Sequence, residues 1–148
     1  MILLFEVAGR RLGVPLTSVR EVLRACAVEP LPDGPPAVEG VIDVGGRLVP
    51  VFDLRRRLGV EPRPVDPGEH FILAEAAGRA VALRADRVDW LSDAPDAAAG
   101  LRELGAGWRG VARLPDGLAL IHDLDAFLGD AEARALDEAL AAAAREPA

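Results

Sequence analysis

Residues Gly40–Gly59, with the sequence GVIDVGGRLVPVFDLRRRLG, are the most informative segment for predicting the fold. It aligns without a gap, at an offset of 70, with Gly110–Gly129, whose sequence is GVARLPDGLALIHDLDAFLG. Seven of the 20 aligned positions are identical. The upstream segments match more weakly at an offset of 69, which pairs Gly9-Arg10 with Gly78-Arg79. Two copies of one unit therefore fill most of the chain, because self-similarity at a fixed spacing indicates a repeated structural unit.

Each copy is predicted to contain two β-hairpins. Short apolar stretches flank Ala8-Gly9 in the first copy and Ala77-Gly78 in the second, and short turns that contain Gly are typical of hairpins. The later hairpin of each copy turns at Gly45-Gly46 or at Pro115-Asp116-Gly117. Pro50 has no backbone N–H, so its strand should lie at an edge or carry a bulge. The pattern is that of a small sheet that closes on itself.

The end of each copy and the segment after the second copy are predicted to be helical. Each copy continues from its last strand into Asp, Leu, three further residues, Leu and Gly, which predicts one helical turn capped by the Asp and ended by the Gly. The chain then becomes rich in Ala, and we predict a helix over residues 130–146. Leu136 and Leu140 share one face of this helix with Ala143 or Ala144, so it should lie on the outside of the sheets or on a partner.

Composition and charge limit the classes of function. The 148 residues are typical of a single domain whose core needs no disulfide or metal. The net charge of −7 argues against a nucleic-acid partner, because affinity for phosphate backbones comes mainly from clustered positive charge. All 17 basic residues are Arg, which excludes lysine-based catalysis and the lysine of a P-loop. We expect no cofactor.

The sequence also carries signals about the cellular compartment. Cys26 is the single cysteine, so the chain can form no internal disulfide, as is typical of proteins in the reducing cytosol. The first residues lack the basic region of a signal peptide, and no stretch reaches the roughly 18 apolar residues of a transmembrane helix. We expect a cytoplasmic protein that does not insert directly into a membrane.

One cluster of side chains has the composition of a metal site. His122, Asp123 and Asp125 place an imidazole beside two carboxylates, and such groups can bind a divalent cation. The first copy has Phe52 at the position of His122 and keeps the following Asp, which is explained as a helix cap. The repeat therefore favours a structural role for the cluster, and a small metal-dependent hydrolase is the alternative from another functional class.

A second cluster, Arg55-Arg56-Arg57, is a local concentration of positive charge in an acidic chain. It is interpreted first as the solvated face of the short helical turn. It is interpreted second as an anchor for an acidic partner surface, because Arg pairs well with carboxylates through two hydrogen bonds.

The order and spacing of these motifs resemble the CheW-like domain family of bacterial chemotaxis coupling proteins. The strongest match is residues 40–55, GVIDVGGRLVPVFDLR, against the family's Gly-Val-Ile-Asn-Leu-Arg-Gly, an apolar strand with Pro, and Asp-Leu-Arg. Residues 13–16, GVPL, and 19–22, VREV, also match. The resemblance covers nearly the whole chain, including the two-copy organisation.

The resemblance implies a mainly β fold of two small five-stranded SH3-like barrels, related by the repeat and followed by the C-terminal helix. One CheW-like domain would span residues 1–148. Its first barrel would lie near 15–80 and its second barrel would combine 1–14 with 81–129, so that the N-terminal strand is exchanged into the second barrel.

The resemblance further implies a non-catalytic adaptor. One barrel would dock the regulatory domain of a CheA-type histidine kinase, and the groove between the barrels would receive the cytoplasmic tip of a chemoreceptor. Receptor contact is expected at Val19, Glu21 and Gly40. Kinase docking is expected on the surface of the first barrel.

One turn departs from the family pattern. Where the family has Asn-Leu-Arg-Gly, this chain has Asp43-Val44-Gly45-Gly46, so Gly45 replaces an Arg associated with receptor contact. Arg47 follows two residues later, on the same face of the strand and about 6–7 Å further along, and could supply the charge. A CheW-like module that binds only one of the two partners is therefore the alternative within the family.

Overall fold

The computed structural model describes residues 1–92, 96–97, 108–114, 117–122 and 130–145. The strands in these ranges are β1 (Ile2–Val7), β2 (Arg10–Pro15), β3 (Val19–Arg24), β4 (Val38–Val44), β5 (Arg47–Phe52), β6 (His70–Ala76), β7 (Arg79–Ala85), β8 (Arg87–Ser92), β9 (Asp96–Ala97), β10 (Trp108–Leu114) and β11 (Gly117–His122). The helices are α1 (Leu54–Arg57) and α2 (Asp130–Arg145), and a short 3-10 turn at Leu16–Ser18 precedes β3.

The strands form two sheets that exchange a hairpin. The five-stranded sheet has the order β3-β6-β7-β5-β4, and the six-stranded sheet has the order β8-β1-β2-β11-β10-β9. The first sequence copy supplies β1 to β5, yet its β1–β2 hairpin lies in the six-stranded sheet, while the β6–β7 hairpin of the second copy lies in the five-stranded sheet. In both sheets the exchanged hairpin pairs in parallel with the last strand of the other copy, β7 with β5 and β2 with β11.

This architecture confirms the predicted fold class of two repeat-related β units followed by a helix. The exchanged element is a whole hairpin and not one strand. The five-stranded sheet extends through β7 to Ala85, whereas the sequence placed the boundary near residue 80. The six-stranded sheet gains its extra strand from β9, which has two residues and pairs only with β10 among the described strands.

Successive side chains of a strand point to opposite faces of its sheet, so the buried side chains form three separate cores. Along β1, Ile2 and Leu4 pack with Ala119 and Ile121 of β11 inside the six-stranded sheet. The intervening residues of β1 face the other way, into the seam between the two sheets. The seam is the largest core, and its buried members are Leu3, Phe5, Val7, Leu12, Val14, Phe52, Leu54, Ile72, Ala74, Ala76, Val81, Leu83, Ala85 and Leu136. A third core fills the five-stranded sheet, with Ile42, Val49, Val51, Phe71, Leu73 and Ala82 buried.

The C-terminal helix α2 covers the seam. Leu136 is fully buried there, Ala139 is buried, and Leu140 packs against the same core at the periphery. Arg79 of β7 donates two hydrogen bonds to the Asp137 carboxylate, at 2.9 and 2.8 Å, and this contact lowers the pKa of Asp137 below its ordinary value. The apolar stripe predicted for this helix therefore packs on the outside of the sheets of its own chain.

Pro50 does not lie at an edge, as was expected, nor at a bulge in its own strand. Its strand β5 is interior, between β7 and β4. The ladder with β7 begins at Val51, after the proline, and Val41, the partner of Pro50 on β4, directs its own N–H and C=O to Glu29. The missing N–H of Pro50 therefore leaves no ladder position unpaired. The register irregularity of this pair lies in the partner, between Val38 and Gly40 of β4.

The helical turn α1 follows the predicted pattern in the first copy. Asp53 is extended, and its Oδ1 accepts the backbone N–H of Arg55 at 3.0 Å, as an N-cap does. Gly59 ends the turn with φ of +71°. The matching turn of the second copy, from Asp123 to Gly129, lies outside the described residues. Within the described residues, no helix is both long and apolar enough to cross a membrane.

Candidate functional site

A cleft of about 510 Å³ opens on the five-stranded sheet near the turns of two hairpins. Its lining residues are Arg20, Arg47, Ala74, Glu75, Gly78 and Ala80. Since β6 and β7 lie between β3 and β5, the side chains of Arg20 and Arg47 approach the cleft from opposite sides. Ala74, Gly78 and Ala80 are small, which leaves the space between the two guanidinium groups open.

The charges of this cleft are only partly balanced. Arg20 forms an ion pair with Glu75 through Nη2 and Oε2, and the two side chains are 66% and 46% exposed. Arg47 is exposed, and no described residue forms an ion pair or hydrogen bond with its guanidinium. Two cations and one carboxylate give the cleft a net positive charge in a chain whose overall charge is −7.

Arg20 reaches the cleft because of a β-bulge. Val19 pairs with Ala74 and Glu21 pairs with Leu73, so Arg20 is the extra residue of β3 between two neighbouring residues of β6. Such a residue redirects its side chain relative to the regular alternation. Arg20 could not be predicted as a site residue from the sequence, since a bulge does not change the pattern of apolar and polar residues.

The bulge also separates two of the expected receptor contacts. Val19 is half-buried and packs against the seam core, whereas Glu21 is exposed on β3. The structure therefore places the aliphatic side chain in the seam and the carboxylate on the surface, on either side of Arg20.

Gly40 has a defined role in closing the five-stranded sheet. The chain after β3 turns back and pairs with β4 through Glu29 and Val41, whose two backbone hydrogen bonds measure 2.9 and 2.7 Å. A Cβ on Gly40 would lie 2.2 Å from the carbonyl oxygen of Glu29 and 2.6 Å from Cγ1 of Val28. Glycine is required here because two backbone segments approach closely. Gly40 is buried beneath this segment, so any partner contact in this region involves the covering residues as well.

The turn between β4 and β5 explains the departure from the family pattern. Gly45 and Gly46 have φ of +60° and +87°, in the left-handed region that favours glycine. Asp43 supports the turn, since its Oδ1 accepts the N–H of Gly46 at 2.7 Å. Gly45 thus presents an exposed turn without a side chain, and Arg47, the next charged residue, lines the cleft.

The three consecutive arginines occupy different environments. Arg55 is buried, and its Nη2 lies 2.7 Å from Oδ2 of Asp86, which also accepts the N–H of Ala8 at 2.8 Å. This contact ties the five-stranded sheet to the exchanged β1–β2 hairpin. Arg57 is half-buried, and burial lowers its pKa against the opposing effect of the Glu132 charge from α2. Of the three, Arg56 is the one with an exposed side chain.

A buried ionic network inside the five-stranded sheet was not predicted. Arg84 and Glu69 are both 2% exposed; Arg84 pairs with Glu69, and its Nη1 lies 2.7 Å from Oε1 of Glu39. A further hydrogen bond joins its Nη2 to the carbonyl oxygen of Pro64 at 2.7 Å. Burial opposes the charge on Arg84, but the hydrogen bonds and charges of Glu69 and Glu39 raise its pKa above the ordinary value.

The second acid of this network is less well satisfied. Oε2 of Glu39 is buried without a hydrogen-bond partner. Burial raises the pKa of Glu39 above its ordinary value, although Arg84 acts in the opposite direction. The alternation of β7 offered a signal for this network, because Arg84 lies on the face that carries Ala82 into the inner core.

The proposed metal cluster falls largely outside the described residues. His122 is the last residue of β11, and Asp123 and Asp125 lie beyond the described part of the chain. Among the described residues, no three His, Cys, Asp or Glu side chains come together in a way that could hold a metal ion.

The two sheets lie within a segment that matches a known protein family. The model of the CheW-like domain matches residues 1–132, which include every described strand of both sheets. The chain belongs to the CheW-like domain family. The family resemblance drawn from the sequence is thereby confirmed for this CheW-like chain.

Similar proteins agree with this assignment. The protein FrzA of Myxococcus xanthus is 36% identical over 84 residues, which are 57% of this chain and 52%, about half, of FrzA. A probable chemotaxis protein CheW of Rhizobium etli is 24% identical over 139 residues, 88% of each chain. The crystal structure of the scaffolding protein TtCheW from Thermoanaerobacter tengcongensis superposes with a TM-score of 0.70 at 24% identity, covering 83% of this chain and 88% of TtCheW. That likeness supports the fold.

Proposed function

We propose that this CheW-like protein couples the cytoplasmic tip of a chemoreceptor to the regulatory domain of a CheA-type histidine kinase. The observation that carries the proposal is the CheW-like match over residues 1–132, on a fold of two sheets joined by exchanged hairpins. The coarser assignment follows from the family: the chain is a non-catalytic scaffold of chemotaxis-type signalling, not an enzyme.

The receptor surface in this proposal lies at and beside the seam. Val19 and Glu21 lie on β3, Val19 at the seam and Glu21 on the surface. The Gly45 turn joins β4 to β5, and Arg47 at the start of β5 lines the cleft. Gly40 contributes by holding the segment that covers β4. A receptor tip is cytoplasmic, so the protein would act in the cytoplasm at receptor arrays.

The kinase surface in this proposal lies elsewhere on the five-stranded sheet. Arg56 is exposed at the turn after β5 and offers a guanidinium to an acidic partner surface. Arg55 holds this turn through its ion pair with Asp86, and Arg57 is half-buried within the influence of the Glu132 charge on α2. Interfaces of modest size would suit a modular array component.

A second candidate is a CheW-like module that binds only one of these partners. Gly45 favours it, because this position supplies no side chain where the family pattern has an Arg. In that case the protein would recruit or titrate one component of a specialised pathway.

Calorimetric titration against two purified fragments from the same organism separates these candidates. One fragment is the kinase regulatory domain and the other is the chemoreceptor signalling tip. Binding to both supports the coupling function, binding to one supports the specialised module, and binding to neither contradicts both. When variants with altered surface charge are compared in this assay, Arg10→Gln is a suitable control, since Arg10 is exposed on the six-stranded sheet.

A further inference from the structure

We propose that the cleft between Arg20 and Arg47 binds a side-chain carboxylate of the receptor tip, and that Glu75 occupies part of this site in the free protein. This inference rests on the receptor-binding function proposed above. It adds that one receptor contact is ionic and that Glu75 of this chain competes with the receptor carboxylate.

The cations of the cleft are arranged for such a ligand. Arg20 and Arg47 face one opening from opposite sides of the β6–β7 hairpin. Guanidinium groups bind carboxylates through two parallel hydrogen bonds, so one acidic side chain can engage either Arg and be attracted by both. The small residues Ala74, Gly78 and Ala80 leave space of about 510 Å³, enough for an Asp or Glu side chain.

Arg47 is the open half of the site. Its guanidinium is exposed, and the described residues provide it with no ion pair or hydrogen bond. The other charged groups at the cleft already pair with each other, Arg20 with Glu75. A carboxylate from a partner would therefore meet one unpaired cation and one that is weakly held.

Glu75 is bound loosely enough to be displaced. Both members of its ion pair with Arg20 are exposed, at 66% and 46%, and exposed ion pairs contribute little free energy. An incoming carboxylate can thus replace Glu75 on Arg20, after which the freed Glu75 charge still repels the ligand. Glu75 is accordingly expected to lower the affinity for an acidic partner.

The cleft is continuous with the proposed receptor surface. Arg20 lies between Val19 and Glu21, and Arg47 follows the Gly45 turn, so both cations adjoin residues assigned to receptor contact. The chain as a whole carries a net charge of −7, so the positive charge of this cleft is a local departure from the charge of the chain. We therefore assign the carboxylate to the receptor tip and not to the kinase domain.

The experiment compares four proteins by calorimetric titration with the same receptor-tip fragment: the unchanged chain, Arg47→Gln, Glu75→Gln and the control Arg10→Gln. We expect Arg47→Gln to weaken binding about fivefold and Glu75→Gln to tighten it about threefold, the size of exposed charge effects. The control should stay within about twofold. Both effects should shrink at high salt, because exposed charges are screened. Titration with the kinase regulatory domain should give unchanged affinities.

Failure of the inference is distinguishable from failure of the proposed function. If the unchanged protein binds the receptor tip but Arg47→Gln and Glu75→Gln bind equally well, the inference is wrong and the receptor function stands. Weaker binding by Glu75→Gln also overturns it, since Glu75 would then support Arg20. Altered affinity for the kinase domain alone would contradict the assignment to the receptor. If the unchanged protein does not bind the tip, the receptor function and the inference fail together. Thermal melting of each variant verifies folding, which these exposed positions should not disturb.

Discussion

The five-stranded sheet contains two arginine–glutamate pairs of the same chemistry in opposite environments. Arg84 and Glu69 are 2% exposed and add Glu39 and a backbone carbonyl to their contacts. Arg20 and Glu75 are 66% and 46% exposed and have only each other among the described residues. A buried pair is indispensable once it is formed, because removing one partner leaves an uncompensated charge, whereas an exposed pair exchanges partners readily. Burial, not the identity of the pair, therefore separates the structural ions of this sheet from the ions available for binding.

Breaking the buried pair should reduce the stability of the protein most. Arg84→Ala should lower the free energy of unfolding by about 3–5 kcal/mol, because it removes the buried cation that Glu69 and Glu39 share and leaves buried Glu69 with only the half-exposed Arg63 as a partner. Arg20→Ala should change it by about 0–1 kcal/mol, as expected for an exposed ion pair. Urea unfolding of both variants measures the contrast. Equal losses for the two variants would contradict the division between the pairs.

A second substitution tests how the sheet around the buried pair is closed. Gly40→Ala places a Cβ against the carbonyl of Glu29 and should destabilise the fold by about 1–3 kcal/mol, as overpacking does. Gly68→Ala is the matched control, because its Cβ would meet only the Asp66 carboxylate at 3.2 Å. Thermal unfolding of the two variants gives the answer. A Gly40→Ala protein as stable as the control would mean that the segment of Glu29 moves freely away from β4.

A third substitution concerns the turn that leads into the exposed cleft. Gly45→Arg restores the family residue but forces a side chain into a backbone with φ of +60°, which costs about 1–2 kcal/mol of stability. Gly45→Ala carries the same backbone penalty without the charge and therefore isolates it. Denaturant titration should give similar losses for the two variants. A Gly45→Arg protein with no loss would show that the turn adapts and that glycine is not required there.

The smallest expected effect is a pH dependence within the buried network. Burial raises the pKa of Glu39 in the folded state, so the folded protein holds this proton more tightly than the unfolded chain. The stabilisation from this group is therefore fully present below the ordinary value of 4.5 and is lost as pH rises through the raised folded pKa. Glu39→Gln should remove this slope, whereas Glu21→Gln, at an exposed site, should retain it. Urea unfolding at several pH values from about 4 to 8 tests it; a Glu39→Gln slope equal to that of the unchanged protein would contradict the assignment.

Local features of the fold could be predicted from the sequence because their causes are local. The turns at Ala8-Gly9 and Ala77-Gly78, and the cap of α1 at Asp53, follow from backbone preferences within a few residues. The face of α2 that packs on the seam follows from the spacing of Leu136 and Leu140. The repeat predicted two similar β units, and the family resemblance, now confirmed, added the exchange between them.

The features that sequence reasoning missed depend on contacts across the fold. Pro50 is interior because Val41 directs its hydrogen bonds to Glu29, a pairing that no short pattern contains. Arg20 reaches the cleft through a bulge opposite Ala74 and Leu73. The charge of Arg84 is retained in the interior because Glu69, 15 residues away, pairs with it. The residue type alone therefore could not show which arginines are buried and which are available for binding.

In the proposed function, this CheW-like scaffold holds a receptor tip and a kinase regulatory domain at the same time. The most direct test is calorimetric titration of the receptor-tip fragment into a saturated complex of the protein with the kinase regulatory domain. If the coupling function is correct, the tip binds the complex with about the affinity it shows for the protein alone, because the two proposed surfaces are separate. Loss of tip binding in the complex, with the kinase domain released as the tip is added, would contradict it.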